Sequence, residues 1–258
     1  MLKFILSALL MCIGSVPTVA AQLPDFLANT PVGSWVTTQD TSSSDKLVTQ
    51  STRSLVGEKT IDGIRYVWLE TNIQQYKNTR SGKLKPKGDA TGMKALMEAS
   101  LLQSDMSNVL SNLQKFGREL YIKTGDGQVM DMSNLGALAQ ALTGGMGTKI
   151  EFDISATGEK KDFKTSQGTV KAEKYLGVGD AEIKIVIRTM KVHTETDMWL
   201  SDQVPFGLVE STSNNTINGK LETSHSQLID FGFKGAVSQI DESQAVENPL
   251  GNFQFPGS

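Results

Sequence analysis

Residues 181–207 read AEIKIVIRTMKVHTETDMWLSDQVPFG, and this stretch decides the fold class. Ala181, Ile183, Ile185 and Ile187 alternate with Glu182, Lys184 and Arg188, a period of two that sets one face on a core and the other in water. A second run, 192–200, is rich in Thr, Val and Trp and stops at Ser201, Asp202 and the Pro205-Phe206-Gly207 corner, where proline cannot donate to a ladder. The two runs predict antiparallel strands near the middle of a sheet.

Strand signals continue on both sides. Downstream, 208–217 and 221–233 flank Asn218-Gly219, and upstream 46–59 and 64–76 flank Asp62-Gly63. Both dipeptides are what tight hairpins favour, because both central residues need positive φ. Shorter strands are expected at 34–39, which carries Trp35, at 118–124, 128–132 and 169–176, and where Ile150, Phe152 and Ile154 alternate, with a charged turn at 159–168. In 64–76, Tyr66, Trp68 and Glu70 fall on one face and Val67, Leu69 and Thr71 on the other, so something should cover each face.

Between these strands lie helix signals. Thr91 reads as an N-cap and Gly117 as a C′ residue, and Leu102, Met106, Val109, Leu110, Leu113 and Phe116 recur at spacings of three and four. A helix of that span would be roughly 37 Å long, enough to cross a sheet. Ser133 would cap a second, short helix at 135–142, ended by Gly144-Gly145. The expected fold is therefore mainly β: a curved antiparallel sheet or half-barrel, with one long and one short helix covering a face as an insertion at about 92–143.

Residues 1–21 combine Lys3, an apolar run and a small-residue end at Val19-Ala20-Ala21, the pattern of a secretory signal peptide. The single cysteine, Cys12, lies inside that run and follows Met11, so the mature chain is expected to hold no disulfide. The expected organisation is a signal peptide at 1–21, one β domain at 22–235 and a loosely ordered tail at 236–258, exported to the periplasm of a Gram-negative bacterium. No later stretch is apolar enough for a transmembrane helix. Without Lys3 the chain carries 24 basic and 28 acidic residues, which argues against nucleic acid as a partner. The loop 77–92 holds five cations against one acid and reads as hydrated surface or as a contact for an anionic headgroup or partner.

Chemistry-bearing residues are sparse. His193 and His225 lie in expected strands and could meet with Glu195 or Glu222 around a cation, but isolated strand histidines are ordinarily solvent-facing. No G-x-S-x-G elbow and no phosphate-cradling glycine motif is present, and Asp126, Gly127 and Asp131 lack the spacing of a calcium loop. Asp241 and Glu242 fall in the tail, where no pocket is expected to shift them. No catalytic residue, metal site or cofactor is assigned. The candidate ligand-binding residues are Met93, Met97, Met106, Leu110, Leu113, Phe116, Leu138 and Leu142, because methionine and leucine on covering helices suit an adaptable apolar site. The bland alternative is that they fill the gap between helix and sheet.

Several short pieces carry a resemblance: Gly57-Glu58 with Asp62-Gly63 and Tyr66-Val67-Trp68-Leu69-Glu70; Trp199-Leu200-Ser201 with Val204-Pro205-Phe206-Gly207-Leu208-Val209; and Gln227-Leu228-Ile229-Asp230-Phe231-Gly232. Over 34–235 the chain resembles exported bacterial β-rich proteins similar to the LolA/LolB lipoprotein-carrier superfamily. That resemblance implies a concave sheet that encloses acyl chains beneath its helices. The expected function is thus a non-enzymatic binder or carrier of a lipid or other apolar ligand, and the alternative is an envelope interaction or structural protein with a protein partner.

Overall fold

The computed structural model describes residues 30–79, 81–102, 119–133, 149–185 and 188–247. Both hairpin dipeptides do what their chemistry requires: Asp62 and Gly63 have φ of 52° and 78°, and Asn218 and Gly219 have φ of 50° and 82°. The first joins β2 (Asp45–Ile61) to β3 (Ile64–Asn78), and the second joins β11 (Leu208–Ile217) to β12 (Lys220–Gly232). The stretch that opened the sequence reading ends β9 (Gly168–Ile185) and forms β10 (Arg188–Leu200), paired antiparallel from Arg188 opposite Ile185 to Leu200 opposite Glu173. Phe206 and Gly207, with φ of 62° and 80°, turn the corner into β11.

The remaining strands are β1 (Trp35–Ser42), β4 (Leu84–Pro86), β5 (Thr91–Glu98), β6 (Leu120–Lys123), β7 (Val129–Asp131), β8 (Lys149–Thr165) and β13 (Val246–Glu247). One sheet holds them all in the order β13-β7-β6-β5-β3-β2-β1-β12-β11-β10-β9-β8, with β4 pairing beside β3. Two meanders are thus sewn together where β1 meets β12. Every described pairing except β13 on β7 is antiparallel. The centre of the sheet is β2-β1-β12, and β9 and β10 lie near the β8 edge rather than in the middle.

The expected fold class is corrected at its helices: among the described residues the only helical turns are 3-10, at Ala99–Leu102 and Glu242–Gln244. Thr91, read as an N-cap, instead begins β5, which lies between β3 and β6. The physical reason is visible in the residues, since the three-and-four stripe starts only at Leu102 and leaves 91–98 with no helical face. There Ala95 and Met97 face one core while Lys94 and Leu96 are buried on the other side, so a doubly covered strand wins through its ladders. The stripe residues 103–118 and the short helix expected at 135–142 lie outside the described residues. The charged turn expected at 159–168 is likewise strand through Thr165, with a register shift between Ala156 and Lys160.

Among the described residues burial divides into three apolar clusters. Val36, Val170, Ala172, Val204, Val209, Leu228 and Phe231 form one, and Phe152, Ile154, Tyr175, Met198 and Leu200 form the second, under the β8–β10 end. Leu55, Val67, Ala95 and Met97 form the third, and Phe206 packs against both the first and the third. The first cluster exists because the sheet curls: the β8–β9 tip returns to the end of β12, where the Ser166 hydroxyl donates to Asp230 and Phe163 meets Trp199 edge-on at 5.6 Å.

The tail, expected to be loose over 236–258, is ordered in its described part. Ile240 is buried, and Val246 and Glu247 pair with Met130 and Asp131 of β7; 248–258 lie outside the described residues.

Candidate functional site

The curl leaves a cleft of about 650 Å³ where the start of β1 and the end of β12 meet the β8–β9 tip. Register places Trp35 opposite Gly232 and Val36 opposite Phe231. Trp35, Val170, Phe231 and Phe233 give the cleft its apolar walls, and Phe231 and Phe233 meet at 6.1 Å with planes at 90°. Among the described residues, Gln167, Thr169, Gln203 and Lys234 supply the polar lining, with one cation and no carboxylate.

Hydrogen bonds hold this frame in place. Gln203 Oε1 accepts from the Lys171 N–H at 2.8 Å, and the buried Ser201 hydroxyl donates to the Lys171 carbonyl at 2.6 Å, tying the β10–β11 corner to β9. Asp230 accepts from the Ser166 hydroxyl, from the Phe231 N–H at 2.9 Å and from the Gln167 amide at 3.4 Å. These bonds, the Ser166 hydroxyl first, hold the Asp230 carboxyl below the usual carboxylate range. Asp230 is thus engaged in fixing the hairpin tip, and among the described lining residues the one formal charge is Lys234.

Gly232 is what lets the indole lie against the sheet. A Cβ there would stand 2.7 Å from Trp35 Nε1 and 3.1 Å from Cε2. Gly232→Ala is expected to push the Trp35 ring out of position at a cost of about 1–3 kcal/mol. A shifted tryptophan emission maximum together with a lowered urea midpoint checks this, and unchanged values for both would refute the packing described.

A second polar assembly is buried on the other half of the sheet, around Glu70 of β3 and Lys94 of β5, which face each other in register. Glu70 is fully buried and accepts from Asn72 Nδ2 at 2.6 Å, the Ser238 hydroxyl at 2.6 Å and the Gln239 N–H at 2.7 Å. The Lys94 ammonium donates to Glu242 at 2.5 Å, Ser238 Oγ at 3.1 Å and the Ile240 carbonyl at 3.3 Å, and lies 5.1 Å from the Trp68 ring centre. Burial acts to raise the Glu242 carboxyl, but the Lys94 hydrogen bond and charge outweigh it and leave it below its ordinary value. The Ser243 hydroxyl and N–H lower Asp241. The expectation that nothing in this segment could shift these acids is therefore corrected.

Of the residues singled out in the sequence, Met97 is core, packed with Leu55, Val67 and Ala95, and Met93 is half-buried on the same strand. Neither lines the cleft. Met106, Leu110, Leu113, Phe116, Leu138 and Leu142 lie outside the described residues. The histidines stay apart, with β11 between their strands: His193 pairs with Asp180 at 3.0 Å, and His225 lies 3.2 Å from Thr212 Oγ1. The Asp180 carboxylate raises the His193 pKa. Among the described residues no three His, Cys, Asp or Glu side chains are placed to hold a metal. The cleft was missed in the sequence because its walls come from opposite ends of the chain, and the available signal was aromatic residues at the outer ends of the first and last long strands.

Compared with known proteins, the chain matches no family model and no curated protein. Solved structures similar to it include a "putative lipoprotein" of Parabacteroides distasonis, 13% identical with a TM-score of 0.33 over 79% of this chain and 96% of that one. Another is a "putative exported protein with YmcC-like fold" of Bacteroides fragilis, 13% identical with a TM-score of 0.35 over 79% of this chain and 97% of that one. Neither is described as a LolA/LolB carrier.

Proposed function

We propose that this chain is an exported, non-catalytic binding protein of the bacterial envelope whose cleft takes an apolar or amphipathic small molecule, such as a single-chain lipid. The observation that carries the reading is the cleft itself: about 650 Å³, with three aromatic walls, amides and a hydroxyl among its lining, and one cation in it. Phe233 is 42% exposed although it faces that space, a large apolar surface that a ligand would cover. The signal-peptide pattern at 1–21 supports export, and among the described residues no helix is long and apolar enough to cross a membrane. The driving force would be burial, about 0.8 kcal/mol per methylene.

The test is native mass spectrometry of gently purified mature protein, followed by titration with laurate monitored by tryptophan fluorescence. Saturable one-to-one binding is expected, weakened about tenfold by Phe233→Ser, because losing most of a phenyl contact removes on the order of 1.4 kcal/mol. No copurified ligand and no saturable signal would overturn the reading. The envelope-interaction reading would then stand first, supported by Leu176 and Val178, which are 39% and 47% exposed side by side on β9.

A further inference from the structure

The polar groups of the cleft are biased toward donors. Gln203 Oε1 is occupied by the Lys171 N–H at 2.8 Å, so its amide has only the NH2 left to offer. Lys234 and Trp35 line the same space, and neither the ammonium nor the indole N–H has a hydrogen-bond partner among the described residues. Both groups can only donate. Gln167 is the exception, because its NH2 reaches Asp230 and its oxygen stays free, and the Thr169 hydroxyl can act either way.

The charges around the cleft have the same bias. On the β8–β9 ladder Lys164 is directly opposite Thr169, and Lys171 is opposite Asp162. Direct partners, and residues two apart on one strand, share a face, so the wall that carries Thr169 bears two cations and one acid. Lys234 adds a third cation, and Asp230, the other acid, is engaged by the Ser166 hydroxyl, the Phe231 N–H and the Gln167 amide.

A cationic head in this cleft would meet Lys234 with no described carboxylate in the lining to receive it. A carboxylate or phosphate, which accepts only, can take charge-assisted bonds from several of these donors at once. Trp35, Phe231 and Phe233 then supply apolar contact for an attached chain. We propose that the cleft selects single-chain amphiphiles with an acidic head, and that the Lys234 ammonium and the Gln203 NH2 set this preference. The inference rests on the binding function proposed above and adds to it the sign of the ligand's charge.

The test titrates the full mature protein by calorimetry with laurate, dodecyl phosphate, dodecanol and dodecyltrimethylammonium, each below its micelle concentration. The two acidic probes are expected to bind about tenfold or more tighter than dodecanol, since charge-assisted hydrogen bonds are roughly twice as strong as neutral ones, and the cationic probe should bind weakest. Lys234→Met should bring laurate within about threefold of dodecanol and leave dodecanol itself unchanged. Gln203→Glu keeps an oxygen for the Lys171 N–H and exchanges the free NH2 for an anionic oxygen, so laurate should weaken and dodecyltrimethylammonium tighten. Lys234 and Gln203 are both exposed, so both variants should melt with the wild type. Equal affinities for laurate and dodecanol in the wild type would overturn the charge preference and leave the binding role of the cleft in place. A preference that survives both substitutions would overturn its assignment to Lys234 and Gln203. Displacement of laurate by inorganic phosphate at a similar concentration would make the acidic group alone the ligand and overturn the amphiphile. Failure of every probe to bind would overturn the binding role itself, and this inference with it.

Discussion

Replacing Glu70 with leucine is expected to destabilise the protein by about 3 kcal/mol, although nothing apolar is lost. The carboxylate is the common acceptor for the Asn72 amide, the Ser238 hydroxyl and the Gln239 N–H, at 2.6, 2.6 and 2.7 Å. Ser238 keeps an acceptor in the Ile240 carbonyl at 2.9 Å and Lys94 keeps Glu242, but the Gln239 N–H and the Asn72 amide lose the acceptor they share. Each orphaned group costs on the order of 1–3 kcal/mol. Urea unfolding followed by circular dichroism measures the loss. A loss below about 1 kcal/mol would mean that 238–242 contributes little to the folded state.

Leu55→Ala is expected to cost about 3 kcal/mol through the apolar core alone. Leu55 is 1% exposed among Val67, Ala95 and Met97, and its backbone is fixed on both sides: its N–H donates to the Ser34 carbonyl at 2.9 Å and its carbonyl accepts from Gly33 at 2.7 Å. The β2–β3 ladder also shifts register between Leu55 and Gly57, so the strand cannot slide to close the cavity. Leu221→Ala is the control, since Leu221 is 64% exposed and should change stability by no more than about 0.5 kcal/mol. Thermal melts of the two variants should differ by several degrees. Equal melts would show that Leu55 is not at a packed centre.

What could be read from the sequence follows from the range of the interactions. Hairpins at Asp62-Gly63 and Asn218-Gly219 depend on two residues and their positive φ, and both were predicted at the right positions. Alternation through Ala181, Ile183 and Ile185 likewise marks a strand, because a period of two is local. The helix expected over 91–117 fails at its start because the three-and-four stripe begins only at Leu102, so nothing helical holds 91–98 against the ladders to β3 and β6. Glu70 falls on a face that the sequence says something should cover, but neither it nor Lys94 is marked locally as a buried charge. Their burial depends on Ser238, Gln239 and Glu242, far along the chain, and no local pattern announces it. Trp35 and Phe231 belong to one cleft for the same reason: only the β1–β12 pairing brings them together.

That pairing also bears on how the chain reaches its native state. Trp35 lies beside Gly232 and Ser42 beside Ser224, so the seam joining the two meanders needs both ends of the chain at once. Ladders this non-local fold slowly, because loop closure precedes any reward from contacts. At roughly 5–20 residues per second, a ribosome needs on the order of 10–40 s after making β1 before its β12 neighbour exists. During that interval β1 can pair only with β2, and the half-built sheet keeps an open edge. A chain of this kind is suited to crossing a membrane unfolded and closing its seam on the far side, where chaperones that guard open strand edges would govern its yield.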